Sequence, residues 1–300
     1  MNRQQLITDL KQGNRRALAR CITVVENELA GYQDILKNLD TTCNTPIVGI
    51  TGPPGAGKSS ILNAITKHLI AKDKTVAIVA VDPTSPFNFG SLLGDRIRMS
   101  EHFTHPNVFI RSLATRGALG GLADKIFEIV DVLRSAKFDY IFVETVGVGQ
   151  SEVEIAGLAD TTVLALVPEA GDDVQTIKSG VMEIADIFVI NKADRDGAST
   201  FVKNISQLIS EKHGSGWLPK LVKTVATKDE GIEELIAVIN EHNALNEINE
   251  RKYYLLAEKA LVLIQKHRMN DIDKKQLMEE IKLESNKTGF NLYRYITKFY

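Results

Sequence analysis

The chain has 300 residues, 44% hydrophobic and 25% charged, with 36 basic against 38 acidic side chains and a formal net charge of -2. That is the composition of a globular protein and excludes a disordered tail. The near-neutral balance also gives no general basic footprint for nucleic acid. No apolar run approaches the roughly 20 residues that span a bilayer, and the start, Met1-Asn2-Arg3-Gln4-Gln5, is polar with no apolar segment behind it. The expectation is a cytoplasmic protein with no membrane and no nucleic-acid partner. Cys21 and Cys43 are too few for a disulfide framework and lack Cys-x-x-Cys spacing.

The first zone, residues 1–45, reads as a helical extension. Leu6, Ile7 and Leu10, then Leu18, Cys21, Ile22, Val25 and Leu29, recur at helical spacing and are broken at Gly13-Asn14, which predicts two or three amphipathic helices. Arg15-Arg16 and Lys274-Lys275 lie on helical stretches with acids nearby and read as solvated faces. A linker from Asp40 to Pro46 leads into residues 46–243. There, short β-branched runs alternate with helical stretches: Ile47 to Thr51, Thr75 to Val81, Val108 to Leu113, Tyr140 to Glu144, Thr162 to Val167, Ile187 to Asn191 and Leu221 to Val225. Strands that are continuously apolar are buried on both faces, so the fold class is α/β with a mainly parallel sheet flanked by helices. Residues 244–300 hold only charged helical pattern, including Tyr254, Ala257, Leu261 and Ile264, and read as an arm whose apolar stripe needs a surface to cover.

After the first strand comes Gly52-Pro53-Pro54-Gly55-Ala56-Gly57-Lys58-Ser59, with Ser60 opening a helical stretch. Small residues let such a loop wrap a phosphate chain, the helix N-terminus supplies positive potential, Lys58 reaches the β/γ-phosphates and Ser59 can ligate Mg²⁺. This makes the domain a P-loop nucleotide-binding unit. The base is chosen by Asn191-Lys192-Ala193-Asp194, after the apolar run Ile187 to Ile190. An aspartate there accepts from guanine N1–H and the exocyclic amine together, a donor pair that adenine lacks.

Between these motifs, Tyr140 to Val143 ends in Glu144, with Gly147 three residues on. The acid can hold Mg²⁺ or orient the attacking water, and the Gly147 N–H can sense the γ-phosphate. Glu144 stands where the more familiar GTPase pattern has aspartate. Asp82 leaves the carboxyl end of its strand beside the loop and suits Mg²⁺. Asp95 lies along a glycine-containing loop with Arg96 and Arg98; a fold back over the nucleotide and a solvated charged loop are both open for it.

Taken together, Val81 to Pro86, Leu92 to Met99 and Glu144 to Glu152 resemble the MeaB/ArgK family of GTPases. The resemblance implies a GTPase that binds GTP and GDP with Mg²⁺ and serves as chaperone of a cobalamin-dependent acyl-CoA mutase, chiefly methylmalonyl-CoA mutase. Such a chaperone gates adenosylcobalamin loading and protects the mutase. By the resemblance, Asp82 and Asp95 are Mg²⁺-associated acids of a first switch and Glu144 to Glu152 form a second. Pro168 to Lys178, with Glu169, Asp172, Asp173 and Gln175, become a further segment facing the mutase. A homodimer formed largely through C-terminal helices is also implied. The competing class is an ATP/GTP-dependent kinase or transport-linked nucleotidase of the ArgK type, which the guanine motif opposes. A targeting GTPase would carry Asp-Thr-Ala-Gly where this chain has Glu144-Thr145-Val146-Gly147.

Overall fold

The computed structural model describes residues 3–40, 42–43, 45–82, 99–114, 125–146, 151–169, 181–210, 217–245, 250–269, 271–286 and 289–299. They divide into two compact units, Met1–Glu247 and Ile248–Tyr300.

Among the described residues the first unit is organised by seven strands: β1 Ile47–Thr51, β2 Val76–Asp82, β3 Val108–Ala114, β4 Tyr140–Glu144, β5 Thr161–Leu166, β6 Ile187–Asn191 and β7 Lys220–Thr224. They form one sheet in the order β3-β2-β4-β1-β5-β6-β7, and every ladder is parallel. β1, β5 and β6 are buried at every residue, which is why they are apolar runs rather than alternating ones. The helices of this unit are α1 Arg3–Lys11, α2 Arg15–Glu26, α3 Tyr32–Lys37, α4 Lys58–Ile70, α5 Ile126–Ser135, α6 Ser151–Leu158, α7 Val181–Ile184, α8 Ala198–Ser210 and α9 Ile232–Asn243.

Successive strand side chains go to opposite faces. Val48, Ile50, Ile78, Phe142, Val163 and Val189 meet Ile61, Leu62 and Ile65 of α4 and Ile232 and Leu235 of α9. On the other face, Ala77, Val79, Ile141 and Val143 pack with α5 and with Leu6, Leu10, Leu18, Ile22 and Val25 of the N-terminal helices. Leu164, Leu166, Phe188 and Ile190 pack with Phe201 and Ile205 of α8. The N-terminal helices therefore share a core with the sheet.

The break at Gly13-Asn14 ends α1 and starts α2, because the Asn14 side chain accepts from Arg16 N and Ala17 N and caps the helix. Cys21 is buried on α2, and burial pushes its thiol up to about 11. Arg15, expected on a solvated face, instead lies over the Phe138 ring at 4.2 Å and donates to Pro106 O at 3.3 Å. Its guanidinium thus stacks on an aromatic face and donates to a carbonyl at the same time. Arg111 of β3 pairs with Glu26, and Lys125 with Glu28 at 2.7 Å, fastening α2 and its following turn to the body.

The second unit contains α10 Glu250–Arg268, α11 Lys274–Ser285, α12 Leu292–Ile296 and a 3₁₀ turn Thr297–Phe299. Asp273 caps α11 by accepting from Lys275 N and Gln276 N. The unit's own contacts centre on Glu280, which accepts from Tyr295 Oη at 2.9 Å and Lys298 Nζ at 2.6 Å. Tyr253, Tyr254, Leu261, Val262 and Ile264 of α10 are exposed.

If α2 is part of the sheet's core, Ile22→Ala should destabilise the whole first unit by about 2–5 kcal/mol, the usual cost of emptying a packed aliphatic site. Urea unfolding followed at strand and helix signals together measures this. A loss confined to a small helical phase would show that α2 melts separately.

Candidate functional site

Parallel α/β sheets bind ligands at the carboxyl ends of their strands, where the chain changes direction of winding. Here β1 is that point, because β2 to β4 lie on one side of it and β5 to β7 on the other. The loop after β1 is glycine-rich for steric reasons. Gly52 has φ of +138°, and a Cβ on it would sit 2.1 Å from Ala165 O. Gly57 has φ of +84°, and a Cβ there would sit 2.3 Å from Asn191 Nδ2. Gly57 is the N-cap of α4 and gives no side-chain cap bond. The N–H groups of Lys58, Ser59 and Ser60 open the helix, where orphan donors and the helix dipole favour an anion.

Lys58 turns back along the loop. Its buried ammonium donates to Gly52 O at 2.9 Å and Pro53 O at 3.1 Å. Ser59 Oγ donates to Glu144 Oε1 at 2.6 Å, with both residues buried. Register explains the meeting: Glu144 lies opposite Ile50 of β1 and Ala80 of β2. Thr145, next to Glu144, is fixed as well, its N–H donating to Ile50 O at 3.1 Å and its hydroxyl lying 3.0 Å from that of Thr51.

The β6 end approaches the same loop. Asn191 is buried, and its Nδ2 donates to Ala56 O at 3.0 Å while its Oδ1 accepts from Thr224 Oγ1 and Ala226 N, both at 3.2 Å. The amide is thus committed to joining the phosphate loop to the end of β7. Lys192 follows with φ of +55°, turning the chain so that Ala193 N donates to Thr224 O at 3.1 Å. Asp194 is exposed on the next residue and accepts from Lys228 Nζ at 2.8 Å. That hydrogen bond is the largest cause holding its carboxyl below the usual range. Arg195 in turn pairs with Glu169, in the turn after β5.

The residues of Gly52 to Ser60, Glu144, Asn191, Lys192 and Asp194 therefore lie at one carboxyl edge. Asp82 ends β2 at that edge, opposite Ala114 of β3, and its backbone alone is described. Asp95, Arg96, Arg98, Gly147, Gln150, Asp172, Asp173, Gln175 and Lys178 lie outside the described residues. Three residues of the site were not anticipated: Thr224, Ala226 and Lys228. The signal was present in Val225-Ala226-Thr227-Lys228, a small residue and a cation directly after the last strand run.

Comparison with known proteins gives the same picture. Residues 18–280 match the family described as "Methylmalonyl Co-A mutase-associated GTPase MeaB". A Pyrococcus abyssi protein named as a GTPase is 54% identical over 252 residues, covering 82% of this chain and 78% of that protein. The GTPase ArgK of Escherichia coli is 38% identical over 240 residues, covering 76% and 72%. A solved structure titled as a LAO/AO transport system kinase superposes with a TM-score of 0.71 at 26% identity, covering 100% of this chain and 98% of that one. With a phosphate loop, a guanine-type motif and a family match over most of its length, the chain belongs to the MeaB family of GTPases.

Proposed function

We propose that the chain is a guanine-nucleotide switch that serves as chaperone of a cobalamin-dependent acyl-CoA mutase, methylmalonyl-CoA mutase being the favoured partner. In that role it gates adenosylcobalamin loading and protects the mutase. The observation that carries this reading is the assembled edge of Lys58, Ser59, Glu144, Asn191 and Asp194 in a chain whose family is described by its mutase association.

Magnesium fits the edge on donor chemistry. Ser59 and Glu144 bring a hydroxyl and a carboxylate oxygen 2.6 Å apart, and hard oxygens are what this ion takes. We assign Asp82 and Asp95 to it as further acids. Bound there, magnesium would neutralise charge on the β- and γ-phosphate oxygens. The chain's own groups supply the rest. Lys58 and the first-turn N–H groups of α4 bind the phosphates, Glu144 orients water, and the Gly147 N–H responds to the γ-phosphate.

Asp194 selects guanine. Adenine in the same place would leave the carboxylate without its donor pair, which disfavours the reading as an ATP-dependent, transport-linked kinase. We assign dimerisation to the C-terminal unit, because the exposed Tyr253, Tyr254, Leu261, Val262 and Ile264 form an apolar helical surface that association would bury. No helix among the described residues is long and apolar enough to cross a membrane.

Lys58→Ala should remove most nucleotide affinity, because it deletes the buried cation of the loop. Titration with a fluorescent GTP analogue measures it, and unchanged binding would refute the phosphate assignment. Asp194→Asn should weaken GTP and favour xanthosine triphosphate, whose 2-oxo group an amide can serve. Competition between the two nucleotides decides, with a persisting GTP preference counting against the motif. The isolated protein should hydrolyse GTP slowly, on the order of 10⁻⁴ to 10⁻² per second, the range of GTPases lacking a docked activator. A cobalamin-dependent acyl-CoA mutase from the same organism should accelerate phosphate release. Fast turnover indifferent to such a mutase would remove the chaperone role and leave the nucleotide site in place.

A further inference from the structure

The turn after β7 is fixed from several directions. Val225 and Glu230 close it with backbone hydrogen bonds of 3.1 and 3.3 Å. Ala226 N is held by Asn191 Oδ1 at 3.2 Å, and Lys67 of α4 grips Asp229 at 2.5 Å. Gly231 has φ of +75°, and a Cβ on it would sit 2.0 Å from Lys223 O, so the exit from the turn is set as well. Lys228 rises from this backbone, its N–H donating to Val225 O at 2.8 Å. Its ammonium reaches across to a different loop and donates to Asp194 Oδ2 at 2.8 Å.

An exposed ion pair by itself is worth little. This one differs in what it joins. The two loops are already joined through Ala193 N and Thr224 O at 3.1 Å, so Lys228 acts from a backbone tied to that of Asp194. Asp194 is itself exposed, its carboxylate otherwise meeting only its own N–H among the hydrogen bonds that lower its pKa, and a terminal sp³–sp² torsion of this kind is broad.

We propose that Lys228 is a positioning residue for the base: by binding one oxygen of Asp194 it orients the carboxylate to accept guanine N1–H and the exocyclic amine together, and so sets the discrimination of guanine from hypoxanthine. This rests on the guanine reading of Asp194. An ionised carboxylate has about four lone-pair sites. Lys228 uses one on Oδ2 and Asp194's own N–H takes a second, leaving two for the two donors of guanine. A two-point contact depends on the orientation of the carboxylate plane. Hypoxanthine lacks the 2-amino group, offers N1–H alone, and tolerates a rotated carboxylate. Loss of the restraint therefore falls on guanine.

The test is titration of wild type, Lys228→Gln and Lys228→Arg with GDP, IDP and ADP. In Lys228→Gln, GDP affinity should fall about two- to fivefold, the size of an exposed ion-pair coupling, while IDP affinity holds, so the GDP-to-IDP ratio falls by that factor. Lys228→Arg, which keeps the cation, should restore the ratio. Because the ratio is taken within one protein, partial unfolding scales both affinities and leaves it unchanged. A ratio unaltered in Lys228→Gln, or equal losses for both nucleotides, overturns the proposal while the wild-type preference for GDP over ADP still supports the guanine reading. A wild type that binds ADP as well as GDP overturns the guanine reading itself and the role of Lys228 with it.

Discussion

The site is built around one buried amide. Asn191 donates to Ala56 of the phosphate loop and accepts from Thr224 and Ala226 at the end of β7. Two loops that follow different strands are thereby held by a single side chain. A buried amide left unpaired costs about 1–3 kcal/mol, so the three partners are required together rather than separately. The same amide explains Gly57. A Cβ at that position would sit 2.3 Å from the Asn191 Nδ2, so the N-cap of α4 is limited to glycine by the asparagine. The loop's dimensions are thus fixed in part by contacts within the chain, and fixed donors bind charge with little reorganisation.

Lys58 is buried and donates to two carbonyls at the start of the phosphate loop. Glu144 is buried on the neighbouring strand and accepts from Ser59. A cation source and an acid source thus lie at opposite ends of the Lys58-Ser59 dipeptide. The alternation follows from helix geometry, since adjacent residues at a helix start point about 100° apart.

Much of this was legible in the sequence, and where it was not, a pairing decides. β1, β4 and β6 begin and end where the apolar runs do, because each ends at a polar residue of the site, Thr51, Glu144 or Asn191. β2, β5 and β7 are displaced by one residue from their runs. There the ends follow ladder partners: Asp82 lies opposite Ala114, Thr161 opposite Val48 and Lys220 opposite Ile187. Strand order has no sequence signature of its own, so the nearness of the β7 turn to Asp194 was not visible. Lys228 was missed for that reason. Arg15 was misjudged as solvated because its partners, Phe138 and Pro106, are distant in sequence and adjacent only through the fold.

Strand order also separates two tasks on the proposed reading. Asn191, Asp194 and Lys228 lie on the β5-to-β7 side of β1, while Glu144 and Asp82 lie on the β4-and-β2 side. The first group is cross-braced by backbone hydrogen bonds, by Asn191 and by the Lys67–Asp229 pair from α4. On that reading, a nucleotide bound across β1 would meet the groups assigned to its base on one side and those assigned to its terminal phosphate on the other. On the same reading, the residues assigned to the base and those assigned to the γ-phosphate stand on different strands, which is the separation a nucleotide-dependent switch needs.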